Sequence, residues 1–323
     1  MKFSDAELLQ LRSFFESPRV LISSHVRPDP DAIGSVLALR EAVLQCGGTP
    51  VCVMEDACPA RCKILFGADS IRVASEMSDE ALFSDVIIVD SGNRERIGEV
   101  EKLIAKGARV ANLDHHISNS KFGDLKFVDV GAAASGELLF NLFTAMKLEI
   151  TSTMATNMLA GLLTDTGRFR HSNTSPSALR VAANLVELGA SLSQLTEQLY
   201  FTIPAQDIKS TAQILSTLEL HANGQISTMF VSHDYVIEDP DNLVDFGRAI
   251  EGVEVAVLFS EMKDERIRVS LRSKSKVNVS AIAESFGGGG HERAAGFRMY
   301  GTFKSVQARL LPSLISALGT PAN

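Results

Sequence analysis

The chain has 323 residues, 45% of them hydrophobic and 22% charged, an ordinary globular composition with length enough for two domains and two cores. Its net charge of -8 argues against an extended track for long nucleic acid, which draws its affinity from many Lys and Arg contacts to phosphates, and leaves room for a short phosphorylated substrate held locally. No segment approaches the roughly 18 consecutive apolar residues of a membrane span, and the first residues lack the basic-then-apolar layout of a signal peptide, so a cytoplasmic location is expected.

The first predicted strand, Val20 to Ser24, runs into His25-Val26-Arg27-Pro28-Asp29-Pro30-Asp31. Two prolines keep this loop out of helix, so His25, Asp29 and Asp31 turn inward from a stiff segment before an amphipathic helix over Ala32 to Gln45. Taken alone, Asp31 reads equally well as a helix N-cap and His25 as a surface residue. A strand over Pro50 to Met54 follows, amid the four cysteines Cys46, Cys52, Cys58 and Cys62, whose spacing matches no paired CxxC metal motif and reads as thiols in a reducing compartment.

After a short strand at Ile71 to Ala74, the apolar run Val86 to Val89 ends in Asp90-Ser91-Gly92. A carboxylate there sits at the carboxyl edge of the sheet, beside the first loop if the two strands are neighbours, although a turn alone would also explain it. A helix is expected over Arg96 to Lys106, then a strand over Val110 to Leu113 that ends in Asp114-His115-His116. Three adjacent acid and imidazole groups at a strand end are hard to satisfy by packing. Beyond a strand at Lys126 to Asp129, another apolar segment gives way to Asp165. Strands alternating with helices indicate a mostly parallel α/β sheet.

From Ser177 to about Leu220 the pattern is helical, with breaks at Gly189 and Pro204. A second domain then shows strands at Ile226 to Val231, Val253 to Ser260 and Arg266 to Leu271, and a helix near Val279 to Phe286. In the third of these strands Arg266, Arg268, Ser270 and Arg272 share one face, with Ser273, Lys274 and Lys276 beyond; a solvated outer face would look the same. Gly287 to Gly290 lead into His291 and a small-residue stretch, Ala294-Ala295-Gly296, which reads as a glycine cradle for an anion at a helix start. These glycines miss the GxGxxG dinucleotide pattern.

Asp29, Asp31, Asp90 and Asp165 on one site would repel one another unless two divalent cations neutralised them. Carboxylates and imidazoles without thiolates favour Mn²⁺ or Mg²⁺, histidine tilting the choice toward Mn²⁺, and such paired ions activate water and clamp a phosphoryl group.

The landmarks His25 with Asp29 and Asp31, Asp90-Ser91-Gly92, Asp114-His115-His116, Thr164-Asp165-Thr166-Gly167, and Gly288-Gly289-Gly290-His291 with Ala294-Ala295-Gly296 together resemble the DHH phosphoesterase superfamily. Within it they resemble the DHH-DHHA1 proteins of the oligoribonuclease and pAp-phosphatase type. The resemblance implies a two-domain α/β protein: a DHH domain with a mostly parallel sheet over residues 1–189, a helical linker over 190–215, and a smaller α/β DHHA1 domain over 216–323, with the active site in the cleft between them. It implies one metal on His25, Asp29 and Asp90 and another on Asp31, Asp90, His115 and Asp165. His116 would face the substrate phosphate and Asp114 would orient the histidines. Arg272 and His291, with Ser273, Gly288, Gly289 and Gly290, would bind the substrate. The implied substrates are oligoribonucleotides a few residues long and 3'-phosphoadenosine 5'-phosphate (pAp), and a homodimer is compatible with the reading. A phosphodiesterase for cyclic dinucleotides or their linear products would use the same metals. A non-catalytic nucleotide-binding regulator is disfavoured by the complete ligand set.

Overall fold

The computed structural model describes residues 3–77, 82–235, 237, 240 and 243–319. The chain divides into two units, Met1–Thr202 and Ile203–Asn323. Among the described residues no helix is long and apolar enough to cross a membrane.

In the first unit the strands β1 (Val20–Ser23), β2 (Pro50–Met54), β3 (Arg72–Val73), β4 (Phe83–Val89), β5 (Ile104–Asp114) and β6 (Leu125–Val128) form one parallel sheet in the order β3-β2-β1-β4-β5-β6. Period-two alternation explains why both faces are apolar. Val20, Ile22, Ile87 and Val89 point into the larger core, and Leu21, Val86 and Ile88 into a smaller one on the opposite face. The larger core is closed by α1 (Asp5–Phe15), α2 (Pro30–Gln45), α3 (Ser135–Ala145), α4 (Ser152–Asp165) and α5 (Pro176–Glu187).

Two local expectations change. The helix α2 starts at Pro30, not Ala32, because Pro fits the first helical position and the Asp29 side chain caps the end. Residues 96–106 are not a continuous helix. Arg94–Leu103 forms tight 3₁₀ turns interrupted at Gly98, whose φ of 62° and ψ of -139° lie outside any helix, and Ile104 already belongs to β5. Glycine suits that break because residues bearing a Cβ rarely adopt this combination of φ and ψ.

Past α5 the chain continues through α6 (Leu192–Thr196), a π-helical turn at Glu197–Phe201 and α7 (Ala205–Leu215). The second unit is a sheet of β7 (Glu219–His221), β8 (Ile226–Val231), β9 (Val255–Glu261), β10 (Arg266–Ser273), β11 (Gly289–His291) and β12 (Ala294–Tyr300), ordered β11-β12-β10-β9-β8-β7. Among the described residues of this sheet only β8 and β9 pair in parallel. The helices of this unit include α7 at its start, α8 (Val244–Ala249), α9 (Val279–Ser285) and α10 (Phe303–Leu318).

The glycine run does not open a helix. Gly287 ends α9 in a left-handed conformation (φ 78°), and the chain then enters the β11–β12 hairpin. Gly288 and Gly290 are dictated by close backbone approach: a Cβ would sit 2.2 Å from Gly296 O at the first and 2.5 Å from Ala294 O at the second.

Candidate active site

The strand order reverses around β1 and β4, which lie side by side with Ser23 opposite Ile88. Ligands of open α/β sheets bind beyond the carboxyl ends of the strands at such a point. The loops after β1, β4 and β5 meet there, joined by the last residue of α4. His25, Asp29 and Asp90 form one group, Asp31, His115 and Asp165 a second, and Asp90, His115 and His116 a third, each with its ligand atoms within 4.8 Å of one another. Six residues expected to bind metal are thus brought together. Asp165 arrives from a helix end instead of a strand.

Each side chain is held by identifiable contacts. His25 is buried, with Nδ1 at 2.8 Å from Val26 O; donation along that contact leaves Nε2 bare, 3.4 Å from Asp90 Oδ2. Asp29 Oδ1 accepts from the backbone N–H groups of Asp31 (2.9 Å) and Ala32 (3.0 Å). Asp31 is fully buried and takes the N–H groups of Ser135 (2.7 Å) and Gly136 (3.0 Å), so its charge rests on the N-terminus of α3. Asp90 adopts φ 56°, a conformation Asp tolerates better than most residues, and one of its oxygens accepts the Ser135 hydroxyl at 3.0 Å.

His115 Nε2 is the decisive atom. It lies 3.1 Å from Asp165 Oδ2, 3.4 Å from Asp90 Oδ1 and 3.8 Å from Asp31 Oδ2, yet it is buried with no partner in hydrogen-bonding geometry. An orphaned imidazole nitrogen among three carboxylates fits a cation, and the all O and N donor set fits a hard divalent ion.

His116 Nδ1 lies 2.7 Å from Asp114 Oδ1. Asp114 is itself fully buried and accepts from Asn119 Nδ2 at 2.5 Å, and Asn119 also donates to Asn112 Oδ1 at 2.9 Å. This chain fixes the His116 ring and its tautomer. Ser135, Asn119 and Asn112 were not anticipated from the sequence. Only Asn112 left a trace there, as a polar residue inside the otherwise apolar Val110 to Leu113.

The electrostatics follow from four acids and two imidazoles in a buried site. Burial opposes charge on His115, but Asp165 and Asp90 outweigh it and push the ring up to about 12. Burial also opposes charge on His25, and Asp90 again prevails, raising it. Burial, reinforced by Asp90 and Asp165, raises Asp31 well above the usual carboxylate range. Asp165 is raised to about 6 by burial against the pull of His115, with Asp29 and Asp90 adding to the rise. Burial works the same way on Asp90, yet contacts from His115 and His25 hold it well below the usual range.

The folded pKa of His115 is raised, so without metal its charge stabilises the fold fully below its ordinary pKa, and that contribution is lost as pH rises toward 12. A divalent ion must displace that proton. Divalent-cation affinity is therefore predicted to rise about tenfold per pH unit for each proton displaced. Calorimetric titrations in two buffers of different ionisation enthalpy would check this; binding with no proton release and no pH dependence would contradict it.

In the second unit Arg272 and Ser273 end β10, with Ile267, Val269 and Leu271 turned into the core. The Ser273 hydroxyl is buried and donates to Val277 O at 2.7 Å, which folds the following loop back on the strand. Glu254, also missed, receives the N–H groups of Ser275 (2.9 Å) and Val277 (3.1 Å) and braces the same loop. Gly289 has open space where a side chain would be, whereas Gly288 and Gly290 are packed against β12. The side chain of His291 lies outside the described residues.

Comparison with known proteins gives the geometry a family. The model of the DHH family N-terminal domain matches residues 19–162, and that of the DHHA1 domain matches residues 223–318. The bifunctional oligoribonuclease and PAP phosphatase NrnA of Thermus thermophilus is 36% identical over 87% of this chain and 84% of its own length. The protein of the same name from Bacillus subtilis is 31% identical over 91% and 93%. Among solved structures, an exopolyphosphatase-related protein from Bacteroides fragilis shares the fold, with a TM-score of 0.89 at 23% identity over 97% of this chain and 96% of that one. Both family models fall in sequence order on the two units seen here, and the identity extends across nearly the whole length, so the chain belongs to the DHH family of metal-dependent phosphoesterases and carries a DHHA1 domain.

Proposed function

We propose that this chain hydrolyses short oligoribonucleotides to mononucleotides and dephosphorylates pAp to AMP, with two divalent cations at the acidic cluster. The observation that carries the reading is the buried, unpartnered His115 Nε2 among Asp31, Asp90 and Asp165, together with relatives whose names state these two activities. His25, Asp29 and Asp90 would hold one ion, and Asp31, Asp90, His115 and Asp165 the other, as the observed groups support. The ions, when bound, supply an activated water and neutralise charge on the phosphoryl group.

The protein's own residues do the rest. Asp114 holds His116 Nδ1, so the opposite ring nitrogen is presented for a phosphate oxygen. Ser135 and the start of α3 fix Asp31 and Asp90 before substrate arrives. In the DHHA1 unit, Arg272 would take a terminal phosphate on the loop braced by Ser273 and Glu254, with Gly288, Gly289, Gly290 and His291 bordering the nucleotide. Mn²⁺ is favoured over Mg²⁺ because two imidazoles join the ligand set. The acidic net charge and the four free cysteines support short substrates and a reducing, cytoplasmic setting.

The test is hydrolysis of a ribodinucleotide, a longer RNA, pAp and a cyclic dinucleotide with Mn²⁺, Mg²⁺ or chelator. The expected result is Mn²⁺-dependent turnover of the dinucleotide and pAp, little action on the other two, and none in chelator. Preference for the cyclic compound would replace the substrate assignment, and turnover in chelator would remove the role of metal.

A further inference from the structure

Beside the acidic cluster the first unit presents a feature that the phosphoryl chemistry does not use. After Asp165 the backbone passes through three consecutive left-handed residues, Gly167, Arg168 and Phe169, with φ of 55°, 62° and 61°. That conformation is unfavourable for residues bearing a Cβ, and such strain persists only where the surroundings hold it. Its effect is to bring the Arg168 guanidinium 4.8 Å from the ring centroid of Tyr200 and 6.0 Å from that of Phe201.

Both aromatics stand on the π-helical turn Glu197–Phe201, a geometry frequent at functional sites. The Tyr200 hydroxyl lies 3.1 Å from Thr164 Oγ1, and Thr164 adjoins the ligand Asp165, so the turn is tied to the cluster. Tyr200 packs partly into the core, whereas Phe201 is 60% exposed: an apolar ring held in water next to a cation.

We propose that Phe201 and Arg168 form a ledge that stacks the nucleobase of a substrate nucleotide whose phosphate lies at the acidic cluster. Aromatic rings and guanidinium planes both stack on the π-face that every base has, without regard to its identity. Phe201 offers no hydrogen bond by which to choose among bases, which suits mixed short RNA and pAp alike. Tyr200 anchors the turn and Phe201 receives the ligand, so the exposed ring can be removed without opening the core. The inference rests on the phosphoesterase reading for the phosphate's position.

Equilibrium titration of the Mn²⁺-loaded full chain with AMP and with ribose 5-phosphate tests it independently of turnover. One stacked base should favour AMP by about 5- to 150-fold. In Phe201→Ala that preference should collapse toward unity with ribose 5-phosphate binding retained, and Phe201→Trp should restore it. No preference in the unaltered chain, a preference that survives in Phe201→Ala, or equal weakening of both ligands would each overturn the ledge. Loss of the hydrolysis reading alone has a different signature: no turnover in the substrate panel with the base preference intact.

Discussion

Asp90→Asn is expected to lose more than about 10³-fold in turnover at Mn²⁺ levels that saturate the unaltered protein, since losing ion binding removes several kcal/mol of transition-state stabilisation. The reason is its position in two groups at once, with Oδ2 at 3.4 Å from His25 and Oδ1 at 3.4 Å from His115. The amide keeps the shape and removes the charge. Asparagine also tolerates the left-handed backbone observed at this residue, whereas alanine does not. Asp90→Ala should therefore be equally inactive but less stable than Asp90→Asn by about 1 kcal/mol. Rates, bound Mn²⁺ and thermal midpoints of the two variants separate ligand from backbone; retained turnover in either would sink the two-ion site.

Gly161→Ala is the second large effect, at a residue with no side chain to offer the reaction. Gly161 lies on α4 against Asp31, and a Cβ there would be 2.0 Å from Asp31 Oδ1. Two other glycines show how tightly this helix is gripped: a Cβ at Gly34 would meet Asn157 O at 2.1 Å, and one at Gly136 would meet Met158 O at 2.5 Å. An added methyl has nowhere to go. It should cost about 1–3 kcal/mol of stability by overpacking, and displacing the carboxylate by about an ångström should lower turnover about 100-fold. Because Asp31 also holds the start of α3, relaxing it disturbs Ser135 and hence Asp90. Normal rate and melting temperature in Gly161→Ala would show that the carboxylate has freedom this packing denies it.

Much of the acidic cluster was legible in the sequence because His25, Asp90 and His115 come just after apolar strands, and a strand buried on both faces has to deliver its next polar residues to the sheet edge, whereas Asp165 closes an apolar helix. The neighbouring positions of β1 and β4 could not be read, since strand order is decided by long-range pairing; adjacent placement is what turns His25 and Asp90 into one group. Ser135 and Gly161 left no sequence signal, as their importance lies in what they approach and not in their type. The glycine run misled for a related reason: four glycines license many backbones, and the pairing of β11 with β12 chose an extended one over a helix start. In 96–106 the periodic pattern suggested a helix, but the left-handed Gly98 broke it.

The contacts that seat Asp31 span 104 and 105 residues of chain, from the first loop to the start of α3. Pairings of that range form late, after the loop between them has closed. A chain emerging from the ribosome with α2 folded but α3 and α4 still inside would hold His25 and Asp29 without a seated Asp31 and without Asp165. The acidic cluster thus comes together only once the chain through α4 has folded, and a shorter chain lacks it by construction. Affinity for a divalent cation would then be a gauge of native folding that needs no substrate at all.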